Sequence, residues 1–207
     1  FFYIIGKSSN FYKIKILICG QTYGIIILSK GDYLMNTYKA YKLRIYLTDL
    51  QRELIEKTFG CTRYIYNNFL AERKNKYEES KTKVHVYEQL KKLTDLKREK
   101  EWLREIDSCA LQASVYNLDN AFQGFFHGKG YPKFRAKGVH ESFRTNNTLS
   151  TYKNKKYETI RIDFNKRIIT LPKLKEVKFR GYRTTKEMVG KIKSATIIKD
   201  DNKYFVS

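Results

Sequence analysis

Cysteine is scarce in this chain of 207 residues: Cys19, Cys61 and Cys109, with no CxxC pair. That excludes a disulfide framework and a Cys-rich zinc site, and it fits a reducing compartment. Two prolines and eleven glycines exclude collagen-like and Pro/Gly low-complexity chains. Long apolar runs are missing too. Ile16–Cys19 and Ile25–Leu28 are separated by Gly20-Gln21-Thr22-Tyr23-Gly24 and fall far short of the roughly 18 residues a membrane-spanning helix needs. No A-x-A-like cleavage site follows them, which argues against a signal peptide. Acidic residues are few relative to basic ones, 21 against 42, for a net charge of +21. With 42% apolar residues the chain can still bury a sizeable core.

Recognisable catalytic equipment is also thin. His85, His127 and His140 have no metal-ligand spacing to one another or to a cysteine. There is no GxxxxGK[ST] phosphate loop. Carboxylates between residues 48 and 122 interleave with Lys and Arg at helical spacing, as in Glu53–Lys57, which is an ion-pair pattern. Beyond Phe122 the acids are Glu141, Glu158, Asp163, Glu176, Glu187, Asp200 and Asp201, none in a GxDxG context. Two-metal nuclease chemistry needs several carboxylates around paired ions, and no such set can be assembled here.

What is present is an uneven charge. Residues 48–122 hold 14 basic and 13 acidic residues, whereas residues 123–193 hold 19 and 5. That segregation points to a polyanion partner for the second stretch. Within it, Gly130-Tyr131-Pro132-Lys133-Phe134-Arg135-Ala136-Lys137-Gly138 interleaves rings with cations. Tyr131 and Phe134 can stack on bases, or alternatively pack into the body of the fold. Lys133, Arg135 and Lys137 can neutralise phosphates. Ser142-Phe143-Arg144-Thr145-Asn146-Asn147 follows, with side chains able to bond base edges. Lys173, Lys175, Lys178, Arg180 and Arg183 extend the basic track.

The first 34 residues differ in texture. Twenty of them are Phe, Tyr, Ile, Lys or Asn, the products of AT-rich codons. Lys30-Gly31-Asp32 can be encoded by a bacterial ribosome-binding sequence just ahead of Met35. Residues 1–34 are therefore expected to be upstream translation, with a short edge strand or anchor as the alternative.

From Met35 onward, Tyr41, Leu43, Ile45 and Leu47 alternate with polar residues and predict a strand. Thr48 with Gln51 forms a capping box that starts a helix with Leu50, Leu54 and Ile55 on its inner face, stopping at Gly60. A second helix is predicted over residues 62–79, and a third through Tyr87, Leu90, Leu93 and Leu96. A fourth is capped by Asp107 with the stripe Leu111, Val115, Leu118, Phe122, Phe125. After Gly128 strands are expected at Ile160–Phe164, Ile168–Leu171, Val177–Phe179, Ser194–Ile198 and Lys203–Val206. The first strand is expected to join this later sheet across the helical insertion.

Several segments together resemble a known family. YKLRIYLTDLQRELIEKTFGCTRYIYNNFL (residues 41–70) resembles the N-terminal helix-turn-helix segment of transposon-encoded OrfB/TnpB proteins. LTDLKREKEWLREIDSCALQASVYNLDNAFQGFF resembles the helical block that follows. GYPKFRAK, ESFRTNN, ITLPKLKEVKFRGYR and GKIKSATI with KYFVS match the family's order and spacing. The family comprises RNA-guided DNA nucleases of bacterial insertion sequences. The resemblance implies an α+β fold: a wedge-type β-barrel, begun by residues 35–47, interrupted by a four-helix recognition domain (48–127, helix-turn-helix at 48–79). It resumes as a basic linker and barrel strands (128–207), with the last strands incomplete.

The resemblance further implies guide RNA and DNA as partners. Ser108, Gln112, Thr145, Asn146 and Asn147 would lie near the duplex motif beside the target. Lys133, Arg135, Arg144, Lys178 and Arg180 would contact phosphates. The family's RuvC-like domain, with its catalytic acids, metal ions and four-Cys zinc module, is expected to lie beyond Ser207. The expectation is thus a non-catalytic, nucleic-acid-binding fragment without cofactors, cytoplasmic in a bacterium. A stand-alone helix-turn-helix regulator using residues 48–79 is the rival reading, and an enzyme with an unrecognised site a third. The near-neutral charge of the helical region counts against the regulator.

Overall fold

A computed structural model describes residues 2–8, 11–18, 21–29, 40–152, 154–180 and 190–207. Met35 and Arg183 lie outside these residues. The chain divides into two compact units, residues 1–39 and 40–207. In the first, β1 (Phe2–Ser8), β2 (Phe11–Ile18) and β3 (Gln21–Ser29) form an antiparallel three-stranded sheet with β2 in the middle. Ile4 faces Ile14 and Ile14 faces Ile26 along the ladder, a β-branched content suited to pleated backbone.

The second unit opens with β4 (Leu43–Tyr46) and three α-helices: α1 (Asp49–Ser80), α2 (Val86–Glu99) and, after a 3₁₀ turn at Glu101–Leu103, α3 (Ser108–Phe126). Eight strands follow: β5 (Ser142–Asn146), β6 (Leu149–Tyr152), β7 (Lys155–Glu158), β8 (Arg161–Asp163), β9 (Ile168–Leu171), β10 (Lys175–Arg180), β11 (Ser194–Asp200) and β12 (Lys203–Val206). β6 and β7 pair as a separate hairpin. The other strands form one antiparallel sheet in the order β5-β11-β12-β4-β10-β9-β8. As expected, β4 joins the later strands across the helices, with Ile45 opposite both Phe179 and Tyr204.

Three expectations are corrected. Among the described residues the α-helices number three, because the chain does not break at Gly60 and α1 runs uninterrupted for 32 residues, about 48 Å. Phe59 and Cys61 on either side of Gly60 are buried, in different clusters. Packing on both flanks outweighs the roughly 1 kcal/mol a helical glycine costs. Helix α1 ends instead at Lys81, in the left-handed region (φ 55°), whose N–H donates to the Tyr77 carbonyl. Second, the sheet is open: among the described residues its edge strands β5 and β8 do not pair, so no barrel closes. Third, β12 is not an incomplete edge but lies between β11 and β4, and Ser207 exchanges both backbone bonds with Thr196.

The start of α1 follows the capping box. Thr48 Oγ1 accepts from the Gln51 N–H and Gln51 Oε1 accepts from the Thr48 N–H. The Gln51 amide also donates to the carbonyls of Leu174 and Glu176, fastening the helix start to the entry of β10. Leu50, expected inside, points to solvent, and Ile55 and Phe59 carry the contact with the sheet instead. Those two and Ala110 of α3 cover Leu43, Ile45, Val177, Phe179, Ile197 and Val206. Further along α1, Ile65, Phe69 and Leu70 build a second cluster with Leu93, Leu103, Leu111, Val115 and Leu118. Inside the bundle, buried Arg73 donates to Gln89 Oε1 (2.9 Å) and Asp119 Oδ1 (3.0 Å), and Gln89 donates to the Phe69 carbonyl.

Because Gly60 sits mid-helix with nothing near the position of an added Cβ, Gly60→Ala is expected to raise stability by about 0.5–1 kcal/mol. The shift in chemical-denaturation midpoint reads it. A helix ending at Gly60 in a left-handed conformation would lose stability instead.

Candidate nucleic-acid interface

The basic stretch starts where α3 is stopped. Gly128 adopts φ +83°, its N–H donates to Phe125 O, and the Lys129 N–H donates to Gly124 O. This is a Schellman ending, which only glycine enters without strain. The chain then turns back along α1. Tyr131 packs edge-on against Phe122 and Phe125, with centroids 5.6 and 5.3 Å away, and Pro132 is buried.

Three residues of α1 hold the next segment. The Asn67 side chain bonds both backbone groups of Arg135, accepting from its N–H (2.8 Å) and donating to its carbonyl (3.0 Å). The Arg135 guanidinium lies 3.9 Å over the ring of buried Tyr66. Arg63 pairs with Glu141 at 3.4 Å, and Glu141 also accepts from the Gly138 N–H. None of these helix residues stood out in the sequence, because their partners lie far along the chain. The loop is therefore pinned by its backbone while Lys133, Phe134 and Lys137 face solvent.

The polar run at residues 142–147 forms strand β5 up to Asn146, with Asn147 just past its end, and the strand's alternation sorts the expected readers. Phe143 and Thr145 point inward; Ser142, Arg144 and Asn146 point outward. Thr145 is buried and donates to Asp107 Oδ2 (2.5 Å), the residue whose other oxygen caps α3 through the Cys109 N–H. Asn147 is equally committed. Its amide donates to Glu158 Oε2 and the Ile192 carbonyl, and its oxygen accepts from the Ile160 N–H (2.9 Å) and the Thr159 hydroxyl. Both residues thus hold the fold together. The bond between Thr145 and Asp107 brings exposed Asn146 beside the first turn of α3, where Ser108 and Gln112 are exposed four residues apart. Ser108 Oγ is bonded by Lys97 Nζ (2.5 Å). Lys178 and Arg180 lie elsewhere, on the outward face of β10, four strands from β5.

Charge pairing differs in degree between the regions. Several helix cations are neutralised locally, Lys57 by Glu53 and Glu105, Lys74 by Glu78, Lys92 by Glu72 and Arg98 by Asp95, while Lys76, Lys83, Lys91 and Arg104 make no ion pair among the described residues. Among the described residues Lys133, Arg135, Lys137, Arg144, Lys178 and Arg180 have no ion pair. No group of three His, Cys, Asp or Glu residues arranged for a metal occurs among the described residues. No described helix is long and apolar enough to cross a membrane. The buried Cys61 thiol is pushed up to about 11, chiefly by desolvation, which makes it a poor nucleophile.

A charged cluster joins α1 to β11 and β12 under this surface. Glu56 Oε1 accepts from Tyr204 Oη (2.6 Å) and from Lys199 Nζ (2.8 Å), and Lys199 reaches Glu141 at 3.5 Å. Burial pushes the Glu56 carboxyl up, but the bonds from Lys199 and Tyr204 outweigh it and hold the group below its ordinary value. The Lys199 ammonium is raised above its ordinary value, first by the bond to Glu56.

Helix-turn-helix domains of IS605-type OrfB proteins match residues 35–82. Two curated relatives bear the name "Putative RNA-guided DNA endonuclease". One, from Streptomyces pristinaespiralis, is 32% identical over 102 residues, covering 48% of this chain and 25% of the relative. The other, InsQ of Escherichia coli (strain K12), is 25% identical over 177 residues, covering 84% of this chain and 40% of the relative. Virulence protein VsdF of Salmonella dublin is 32% identical over 111 residues, which cover 48% of this chain and 93% of VsdF. The chain belongs to the OrfB/TnpB family and corresponds to its N-terminal part. It spans a quarter to two-fifths of the length of the two endonuclease-named relatives. The described part of the matched helix-turn-helix region consists of β4 followed by the unbroken helix α1.

Two outcomes follow from these contacts. Asn147→Ala should lower stability by about 1–3 kcal/mol, since it strands the buried Ile160 N–H, and urea denaturation measures it. The Glu56 and Lys199 shifts have opposite signs, so each limits a different flank. The Glu56 contribution is present above its ordinary 4.5 and is lost as pH falls through its lowered folded value. The Lys199 contribution is present below its ordinary 10.5 and is lost as pH rises through its raised folded value. Denaturation midpoints against pH should fall at both ends, and Glu56→Gln should flatten both limbs.

Proposed function

We propose that this chain is the nucleic-acid-holding part of a TnpB-like protein, binding a guide RNA and the DNA duplex that flanks the target. The observation that carries this reading is the contrast in charge. Residues 48–122 hold 14 basic residues against 13 acidic ones, whereas residues 123–193 hold 19 against 5. Lys133, Arg135, Lys137, Arg144, Lys178 and Arg180 make no ion pair among the described residues and are left for an external polyanion. An unpaired cation row on a backbone fixed by Asn67 is suited to phosphates, because little ordering entropy remains to be lost on binding.

In this reading the open sheet with β4 inside it is the wedge body, and α1, α2 and α3 are the recognition insert. Ser108, Gln112 and Asn146 face the duplex. Lys133, Arg135, Lys137 and Arg144 track phosphates. Thr145 and Asn147 support this surface from within. The chain's task is gripping, and the cutting named for the longer relatives falls to carboxylates elsewhere in such proteins. The rival regulator reading needs a turn between two helices at 48–79, and α1 offers none.

RNA binding should weaken with salt, log K falling against log[salt] with a slope of roughly −4 to −7 for five to eight phosphate contacts. The triple change Lys133→Ala, Arg135→Ala, Arg144→Ala should weaken binding on every sequence and shallow that slope. Gln112→Ala or Asn146→Ala should instead alter preference among duplex sequences. A flat salt response overturns the proposal. So does Mg²⁺-dependent cleavage of a target duplex that is lost when this chain's own acids are replaced.

A further inference from the structure

The outward face of the sheet carries a feature that the loop does not. Strands β10, β4 and β12 are neighbours, and their inward residues Val177, Ile45 and Val206 are buried. On the other side Arg44 stands opposite both Arg180 and Phe205, and Tyr46 stands opposite Lys178. Two rings are thereby set among cations. Lys42 Nζ lies 4.3 Å from the Phe205 centroid, and the guanidinium carbons of Arg44 and Arg180 lie 5.1 and 6.0 Å from that of Tyr46. Tyr46 is 40% exposed although it lies in a central strand.

We propose that this face binds an unpaired nucleic-acid strand, with bases stacking on Tyr46 and Phe205 while Arg44, Lys178 and Arg180 take the phosphates. The inference rests on the nucleic-acid reading above and adds the strandedness of the ligand and the residues that sense it.

The chemistry favours a single strand over the alternatives. Tyr46 and Phe205 are diagonal neighbours across β4 and β12, roughly 7–8 Å apart, a separation that lets each ring receive its own base. Bases inside a duplex already stack on each other and show a protein only their edges, so rings on a flat sheet gain nothing from paired RNA. An apolar protein partner would leave the surrounding cations desolvated without counter-charge. The nearby acids do not neutralise the row: Asp200 is held by Lys42 at 3.7 Å, and Glu176 lies one residue pair beyond Lys178. In the free protein the long cationic side chains shield the ring faces. Phosphates would draw them aside and leave the faces to bases.

Fluorescence anisotropy on the full chain at low salt tests this with two labelled probes of equal length, oligouridine and a fully paired RNA hairpin. Tyr46→Ala with Phe205→Ala should weaken oligouridine binding by about tenfold or more and change hairpin binding less than about twofold. Tyr46→Phe should keep the affinity. A wild-type chain that binds neither probe sinks the nucleic-acid reading itself. If both probes bind and only Lys133→Ala with Arg135→Ala weakens them, or if the ring changes weaken both equally, the stacking surface alone is overturned. Should the double variant fail to fold, photocrosslinking of wild type to 5-iodouridine RNA decides. Crosslinks in peptides holding Tyr46 or Phe205 support the proposal, and crosslinks confined to other peptides overturn it.

Discussion

The structure depends on one helix belonging to two cores. Helix α1 presses Ile55 and Phe59 onto the sheet and, from Cys61 onward, Ile65, Phe69 and Leu70 into the bundle with α2 and α3. Because α1 passes unbroken through Gly60, sheet and bundle are built on one helix. The loop that carries the basic track is fixed to the same helix through Arg63, Tyr66 and Asn67. The placement of Lys133 and Lys137 relative to β5 is therefore inherited from the continuity of α1.

Electrostatics follow the same division of labour. The helical body holds nearly as many acids as cations, and some of them pair, as Lys57, Lys74 and Arg98 do with acids three or four residues away, pairs individually worth little because they are exposed. Their effect is to make that region electrically quiet. The loop and the outward sheet face have few acids, and the nearest one to the loop, Glu141, is already shared among Arg63, Lys199 and the Gly138 N–H. A field several residues wide arises from withholding counter-charge rather than from concentrating cations alone.

The legible parts of the fold were those whose period was set by burial. Leu111, Val115 and Leu118 of the α3 stripe and Leu43 and Ile45 of β4 bury as their spacing predicts, while Phe125 at the end of that stripe is exposed. Local signals misled where tertiary packing overrode them. Gly60 reads as a stop, but burial on both sides carries the helix through. Strand β5 stayed hidden because one of its two inward residues is Thr145, polar yet satisfied by Asp107. Asn147 looked like a base reader for the same reason that makes it a good staple: an amide that donates twice and accepts twice. The charge of the site was legible; which side chains are spent internally was not, because their partners come from Glu158, Ile160 and Ile192.

The position of β4 has a consequence for how the molecule is made. Tyr46 needs Lys178, and Leu43 needs Val206, so a central strand emerges from the ribosome long before either neighbour exists. The helices, held by nearer contacts, can condense while β4 waits as an unzipped edge, and the sheet closes around it only when the distant strands arrive. Folding on this plan is two-tempo, with an early helical scaffold and a late clasp. The period between them is when β4 is open to pairing with the wrong chain.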